Sequence, residues 1–495
     1  MSEPEASEEA ADHSAGRVVS GFIILAGASL LSQAIGFVAL AIASRRLGAD
    51  DLGDFNFCLS IGLYAALAAD FGITVLAVRD VARAPERIRE ITGEVVVLQA
   101  VVSVVVYAAL VALAPLIAPT DDARALLPIA TATTLVAAAL TLQWAMRAMQ
   151  DMRAVALTQL VGQAMFGALV PLLVTGGLSG AKRYALLQLL GGVVTAALTV
   201  WWTMRRHGVP RLTLNTRALG RRLWLSLPIG ISFAMIQIYY SADSIMLGYI
   251  RSTAAVGEYA VAYKLPLALI GFATIWVAAL YPHASALSER DPDTLGRQVG
   301  TFASVSIVAA LALGVGVTFG SDGLMPLLFG DAFDDAQTPF ILLTWAAAVI
   351  VVSVNFGNVL LACGDERRYA IGVSAGALAN VAINVVTIPA FGTTGAACAT
   401  IAAELLVLVY MIRRFRIVLG VPQIEWGRVT RGAGAAAVLA AALIALPGSV
   451  PVAATLAIGA VVWVGAALAL GAISREDLNQ LRRNRSEPAV AGASR

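Results

Sequence analysis

The chain has 495 residues, of which 59% are hydrophobic and 13% are charged, with a mean hydropathy of +0.81 and a formal net charge of +2. Soluble domains carry about a quarter charged residues. No soluble core buries this much apolar surface, so the composition predicts a protein solvated by lipid. The basic residues lie in short segments and form no basic face, which excludes a nucleic-acid-binding protein.

A membrane-spanning helix needs about 20 apolar residues, and about fourteen stretches of this chain meet that requirement. The sequence therefore predicts an all-α polytopic membrane protein. In chain order, the predicted spans are 18–44, 55–74, 91–117, 126–146, 155–174, 184–204, 223–250, 256–281, 299–319, 340–362, 369–388, 395–412, 432–446 and 452–472.

The distribution of the 34 basic residues predicts the orientation of these spans. Arginines cluster in the segments after even-numbered spans and in the two tails, and loops rich in Lys and Arg are retained in the cytoplasm. The sequence thus predicts a protein of the cytoplasmic membrane with both termini inside. The opposite loops hold only Arg45, Arg46, Arg124, Lys182, Arg183 and Arg251, and Lys264 lies within a span.

The chain also contains a repeat. The sequence Leu52-Gly53-Asp54-Phe55 opens the second span, and Val256-Gly257-Glu258-Tyr259 opens the eighth. Six spans separate the copies, so both have the same orientation, as in the parallel repeats of transporters. The predicted organisation begins with a disordered cytoplasmic tail (1–16), a six-helix lobe (17–204) and a cytoplasmic linker (205–222). A second six-helix lobe (223–412), two additional helices (413–472) and a cytoplasmic tail (473–495) follow.

Charged side chains inside a bilayer are costly and therefore informative. Asp243 in span seven and Lys264 in span eight are expected at a similar depth, where they face each other or share a cavity. One interpretation is a structural ion pair; the other is a substrate or ion site, to which Tyr239 and Tyr240 would add an aromatic surface for a sugar or lipid headgroup. Core packing of these tyrosines is an equal alternative.

Other polar residues within spans are further candidates for a substrate cavity. Glu404 lies in the middle of span twelve, and Asn380 and Asn384 share one face of span eleven, where they could serve Glu404 or join helices. Gln33 is a polar group in span one. The sequence contains no clustered catalytic residues, no P-loop and no metal-binding motif among its three cysteines, so neither an enzyme nor a metal site is predicted.

Four segments resemble a known family. They are Ala43-Ser44-Arg45-Arg46-Leu47-Gly48 with the following Leu52-Gly53-Asp54-Phe55; Asp70-Phe71-Gly72-Ile73 with Val78-Arg79-Asp80; Leu227-Pro228, Asp243 to Leu247 and Val256 to Tyr259; and Asn380, Asn384, Ile388-Pro389, Phe391-Gly392 and Gly395-Ala396-Ala397 through Glu404. With these four segments in this order, the chain resembles the polysaccharide-transporter, or oligosaccharide flippase, branch of the multidrug/oligosaccharidyl-lipid/polysaccharide exporter superfamily.

The resemblance implies two six-helix lobes that work by alternating access and carry a polyprenyl-pyrophosphate-linked oligosaccharide across the cytoplasmic membrane. Lys264, Arg45 and Arg147 are then the candidates to meet the pyrophosphate. The resemblance implies no cofactor beyond a coupling ion, H⁺ or Na⁺, for which Asp243 and Glu404 are the available carboxylates. The lipid bilayer and the lipid-linked oligosaccharide are the expected partners, with glycosyltransferases and a polysaccharide polymerase in the same pathway.

Two alternatives stay open. The first is a cation-coupled small-molecule exporter of the same superfamily. The second is a membrane-embedded enzyme, which would be expected to carry clustered His, Asp or Arg in a large outer loop; the outer segment 320–339 has four aspartates but no cation and no histidine.

Overall fold

The computed structural model describes the backbone of residues 3–473 and the side chains of residues 24–271, 273 and 284–473. Within that part of the chain every regular element is helical. The predicted tail after residue 473 lies outside the described residues, as do the side chains of the predicted tail at 1–16, most of whose backbone falls within the first helix.

The helices in chain order are α1 (Glu3–Asp70), α2 (Ile73–Arg83), α3 (Ile88–Ile117), α4 (Asp121–Leu140), α5 (Gln143–Ala148), α6 (Met152–Leu173), α7 (Gly177–His207), α8 (Thr216–Ile250), α9 (Thr253–Arg290), α10 (Pro292–Gly320), α11 (Leu324–Phe329), α12 (Gln337–Ala362), α13 (Glu366–Leu419), α14 (Trp426–Ala445) and α15 (Val452–Ala469). Short 3-10 turns at Pro85–Arg87 and Asp331–Ala336 complete the set.

Eleven helical segments of the described chain are long and apolar enough to cross a membrane, which confirms an all-helical polytopic fold. The thirteenth predicted span, the shortest, is present as the 20-residue helix α14. The links predicted after spans one and eleven are also present: α1 and α13 each consist of two helices that meet at a bend, at Gly48 and at Gly392, inside the predicted links.

The bends have a local cause. Gly48 in α1 has φ 73° and ψ −175°, and Gly392 in α13 has φ 58° and ψ −132°. L-residues with a Cβ rarely adopt such positive φ values, whereas glycine does so readily. Pro389 lies just before the second bend and cannot donate a backbone hydrogen bond, which weakens the helix there. A glycine at each position therefore reverses the chain without a loop.

The described chain divides into two compact units. The first runs through Lys264 and includes Leu328–Phe333 and Ala377–Ala396; the second consists of Leu265–Leu327, Asp334–Gly376 and the described residues from Ala397 onward.

In the first unit, the two copies of the repeated motif pack against each other. A Cβ atom at Gly53 would lie 1.8 Å from the carbonyl oxygen of Thr253, and one at Gly257 would lie 2.3 Å from that of Ala49. These separations leave room only for hydrogen, so α1 and α9 approach through their backbones. The repeat seen in the sequence is therefore also a contact in the fold.

The segment between α7 and α8 is docked on α3. The backbone N–H of Arg211 donates to the carbonyl of Arg89 at 2.8 Å, and the Arg89 Nε donates to the carbonyl of Val209 at 2.9 Å. A Cβ at Gly93 would lie 1.9 Å from the Arg211 carbonyl oxygen. The middle of the predicted 205–222 linker thus follows the start of α3, while its two ends are helical.

The core of the second unit is built by aromatic and aliphatic side chains of α10, α12 and α13. The rings of Phe356 and Phe415 meet edge to face with centroids 5.4 Å apart, and Leu360 is fully buried beside them. An ion pair between Arg414 and Asp365 joins the end of α13 to its beginning. Helix α14 packs on α10 at Gly432, where a Cβ would lie 2.5 Å from Val308 Cγ2.

Candidate functional site

Asp243 is the centre of a buried polar cluster in the first unit. It lies on α8, near the end of that helix, and is only 4% exposed. One carboxylate oxygen accepts a hydrogen bond from the Tyr259 hydroxyl at 2.7 Å, and the other accepts one from Asn384 Nδ2 at 2.6 Å. Helices α8, α9 and α13 thus each contribute one side chain to the cluster.

Asn384 links Asp243 to a second amide. The two asparagines stand four residues apart on α13, and Asn384 Nδ2 also donates to Asn380 Oδ1 at 3.0 Å. Both asparagines are buried. The carbonyl oxygen of the Asn384 side chain is buried and accepts no hydrogen bond from any described residue. An unpaired buried acceptor is costly, so its retention points to a group that binds there.

The chemistry of this cluster suits a small cation. A carboxylate, two amide carbonyl oxygens and a phenolic oxygen are oxygen ligands, and hard cations bind such oxygen atoms. The same carboxylate can also bind a proton. The described residues contain no group of three His, Cys, Asp or Glu side chains suited to a transition metal.

The predicted pairing of Asp243 with Lys264 is not what the structure shows. No described ion pair joins Lys264, half-buried on α9, to Asp243, and the described hydrogen bonds to the Asp243 carboxylate come from Tyr259 and Asn384. Glu404 belongs to the second unit, is 4% exposed and lies near Tyr369.

The remaining predicted residues lie on several elements of the first unit. The rings of Tyr239 and Tyr240 meet edge to face at 5.8 Å, and Tyr240 is exposed. Gln33 and Arg147 are exposed on α1 and α5. Arg45 packs against Gly330, with its Cγ 3.3 Å from the position a Cβ would take there.

Sequence reasoning missed two arginines that cap helix ends in the first unit. Arg46 Nη1 donates to the carbonyl oxygens of Pro171 and Val174, at 2.8 and 2.7 Å. Arg251 donates to the carbonyl oxygens of Ile388 and Pro389, at 3.0 and 2.5 Å. Both groups satisfy carbonyls that a helix end leaves without intrahelical donors.

A signal for these arginines was present in the sequence. Arg46 and Arg251 are among the few basic residues in loops that otherwise lack them, and the positive-inside rule disfavours them there. A cation that persists in such a loop is expected to have a specific partner. Tyr259 was noted only as part of the repeat, because a tyrosine in an apolar helix does not reveal which carboxylate it will meet.

The comparisons with known proteins agree on one family. Residues 18–288, more than half of the chain, match the model of the polysaccharide biosynthesis protein family. A putative O-antigen transporter of Escherichia coli (strain K12) is 22% identical over 380 residues, which is 74% of this chain and 89% of that protein. A probable flippase, AglR, of Haloferax volcanii is 27% identical over 290 residues, covering 52% of this chain and 60% of that protein.

Two solved structures share the fold. The lipid II flippase MurJ in an inward closed conformation superposes with a TM-score of 0.73 over 92% of this chain and all of that chain, at 11% identity. A multidrug resistance MATE family transporter of the MOP superfamily in an inward-facing conformation gives 0.63 over 80% of this chain and 98% of that chain, at 15% identity. These findings confirm the resemblance drawn from the sequence motifs, and the chain belongs to the polysaccharide biosynthesis protein family.

Proposed function

We propose that this chain is a flippase that moves a lipid-linked oligosaccharide across the cytoplasmic membrane for the synthesis of a surface polysaccharide. The observation that carries the proposal is the similarity to the putative O-antigen transporter, which extends over 74% of the chain. A transporter of this kind needs no catalytic residues, since it changes the position of its substrate and breaks no bond.

The proposed movement is alternating access. The cargo is a polyprenyl-pyrophosphate-linked repeat unit whose prenyl tail stays in lipid while the sugar and the pyrophosphate cross. Glycosyltransferases would complete the repeat unit in the cytoplasm, and a polymerase would consume it on the other side. Parallel repeats are typical of transporters that work in this way, and the contact between Gly53 and Gly257 within the first unit supports such a repeat here.

We further propose that Asp243 binds the ion that drives the movement. Its carboxylate is buried against a hydroxyl and an amide donor, and the adjacent Asn384 Oδ1 lacks a hydrogen-bond partner among the described residues. Na⁺ would use these oxygens as ligands, whereas H⁺ would reside on the carboxylate alone. Comparing transport driven by a sodium gradient with transport driven by a proton gradient distinguishes the two ions.

A deletion strain tests the function. Loss of the surface polysaccharide, with lipid-linked repeat units accumulating on the cytoplasmic side, is the expected result, and plasmid-borne wild type should restore the polysaccharide. The Asp243→Asn variant should accumulate in the membrane but fail to restore it. Normal polysaccharide together with greater sensitivity to drugs would overturn the proposal and favour a cation-coupled exporter.

A further inference from the structure

A cavity of about 610 Å³ lies where α2, α3 and α8 of the first unit come together, well separated along the chain from the Asp243 cluster. Each helix contributes residues spaced three, four and seven apart, which share one helix face. The lining is Leu76, Arg79, Asp80 and Arg83 from α2, Arg87, Glu90 and Glu94 at the start of α3, and Ala218, Arg221, Arg222 and Leu225 from α8.

Two groups of ion pairs line this cavity, one centred on the largely buried Arg222 and one formed by the exposed Arg87 and Glu90. Arg222, whose side chain is 10% exposed, lies 2.7 Å from Glu94 and 3.3 Å from Asp80. Arg87 forms two hydrogen bonds with Glu90, both at 3.0 Å. Because Arg222 is held from two sides, the three helices are fixed relative to one another and the cavity keeps its shape.

The arginines at the rim are not neutralised in this way. Neither Arg83 nor Arg221 is within 4.0 Å of a carboxylate among the described residues, and both are exposed. Arg79 reaches only Asp80, at 3.6 Å. The lining therefore has more guanidinium groups than carboxylates, and the arginines without a carboxylate partner are exposed.

Several arginines around one cavity suit a phosphate group. A guanidinium offers paired N–H donors in a fixed plane, which match phosphate oxygens in a bidentate way. The start of α8 at Thr216 adds the positive end of its helix dipole beside Asn215, which also lines the cavity. A phosphate between Arg83 and Arg221 would supply the negative charge that the lining lacks.

The surroundings of the cavity favour a phosphate carried by a lipid. Leu225 lines the cavity and is 48% exposed, and its neighbour Trp224 is 73% exposed. Exposed tryptophan is typical of the boundary between lipid headgroups and acyl chains. A lipid could therefore place its headgroup among the arginines while its chains extend along the apolar start of α8.

We propose that this cavity binds the phosphate of an anionic lipid headgroup, at the side of the membrane that the arginine distribution predicts to be cytoplasmic. Any lipid whose phosphate headgroup carries a net negative charge satisfies this chemistry, so the proposal does not rest on the flippase function. Free phosphate or pyrophosphate shares the headgroup chemistry but lacks the acyl chains that Trp224 and Leu225 would contact.

Lipid binding by the full-length protein tests this assignment. Purified protein is titrated with phosphatidylglycerol in mixed detergent micelles, with phosphatidylcholine as the neutral lipid, and bound lipid is counted by native mass spectrometry. The test variant is Arg83→Gln with Arg221→Gln. The control is Arg153→Gln with Arg217→Gln, which removes the same charge from exposed positions outside the cavity.

The test variant should bind phosphatidylglycerol at least about tenfold more weakly than wild type, since it loses two charge-assisted contacts. The control should bind like wild type, and a lysine pair at Arg83 and Arg221 should recover part of the affinity. Equal binding by test and control variants would overturn the proposal. Inorganic pyrophosphate that binds as tightly as the lipid would overturn the assignment to a lipid headgroup.

Discussion

The two copies of the repeat have similar hydrogen bonds at their junctions, but the side chains buried beside those junctions differ. The first junction comprises residues 45–58 with 171–177, and the second comprises 251–259 with 388–392. In each, an arginine near the point where a long helix bends or ends donates to carbonyls beside a proline: Arg46 to Pro171 and Val174, and Arg251 to Ile388 and Pro389. The scaffold of the repeat is therefore duplicated.

The interiors beside these junctions are not duplicated. The shift that aligns Gly53 with Gly257 also aligns Phe55 with Tyr259 and Ala39 with Asp243. The alignment of Pro171 with Pro389 places Phe166 opposite Asn384.

In the first copy these positions are apolar. Phe55 and Phe166 pack on the ring of Tyr184 with centroids 5.0 and 5.5 Å away. In the second copy they form the hydrogen-bonded cluster of Asp243, Tyr259 and Asn384. One copy is thus packed with aromatic rings and the other carries a buried carboxylate. The comparison teaches that two junctions with similar backbone contacts can hold side chains of different chemistry, and under the proposed function only the second copy would respond to an ion.

The largest expected effect comes from removing that charge. Asp243→Asn should reduce transport by about 100-fold, toward the upper end of coupling energies between linked sites, because no ion would then favour one state of the protein. Transport of a lipid-linked repeat unit in reconstituted vesicles measures this loss. The matched change Ala39→Ser, at the aligned position of the first copy, should leave transport close to wild type. A fully active Asp243→Asn variant would remove the proposed distinction between the copies.

The sequence predicts those features of the two copies that depend on a single helix. Hydropathy predicts the spans, and the spacing of Asn380 and Asn384 predicts their shared face. It does not predict that Asn384 meets Asp243, since helix periodicity gives the face of a residue and not the neighbour opposite it. The position along each helix places Lys264 at a similar depth to Asp243, but it does not predict that Tyr259 donates to the carboxylate.

The sequence predicts links around Gly48 and Gly392 but not the form of those links, for a related reason. A glycine within an apolar stretch is compatible with a helix, a kink or a loop, and the tertiary contacts of Arg46 and Arg251 select the kink. These contacts join residues more than 120 positions apart, at separations of 125, 128, 137 and 138 residues. Local sequence patterns carry no information over such distances.

The contact shared by the two copies can be broken at its glycines. Gly257→Ala should destabilise the protein by about 1–3 kcal/mol, because the added methyl would overlap the carbonyl oxygen of Ala49. Gly53→Ala should have a similar effect through the carbonyl of Thr253. Thermal unfolding in detergent, followed by intrinsic fluorescence, measures the change. Gly192→Ala on α7, where a Cβ meets no atom within 4 Å, is the control and should not lower the unfolding temperature.

The arginine caps test whether the two junctions contribute equally. Arg46→Gln and Arg251→Gln should each cost about 1 kcal/mol, since each removes charge-assisted hydrogen bonds at a partly exposed helix end. Arg124→Gln removes an exposed ion pair with Asp121 and should change stability by less than about 0.5 kcal/mol. Unequal losses of stability at Arg46 and Arg251 would show that the two junctions, although alike in geometry, contribute differently to the free energy of unfolding.

The smallest effect is expected at the hydroxyl that distinguishes Tyr259 from Phe55. Tyr259→Phe keeps the ring and removes one hydrogen bond to Asp243, so the apparent affinity for the coupling ion should change by about fivefold while stability stays nearly constant. The reciprocal change, Phe55→Tyr, places a hydroxyl against the buried ring of Tyr184 and should lower stability without altering ion affinity. The ion dependence of initial transport rates, measured for both variants, separates these outcomes. If Tyr259→Phe lowered the stability but left the ion affinity unchanged, the hydroxyl would have only a structural role. Asp243 and Asn384 would then bind the ion without Tyr259.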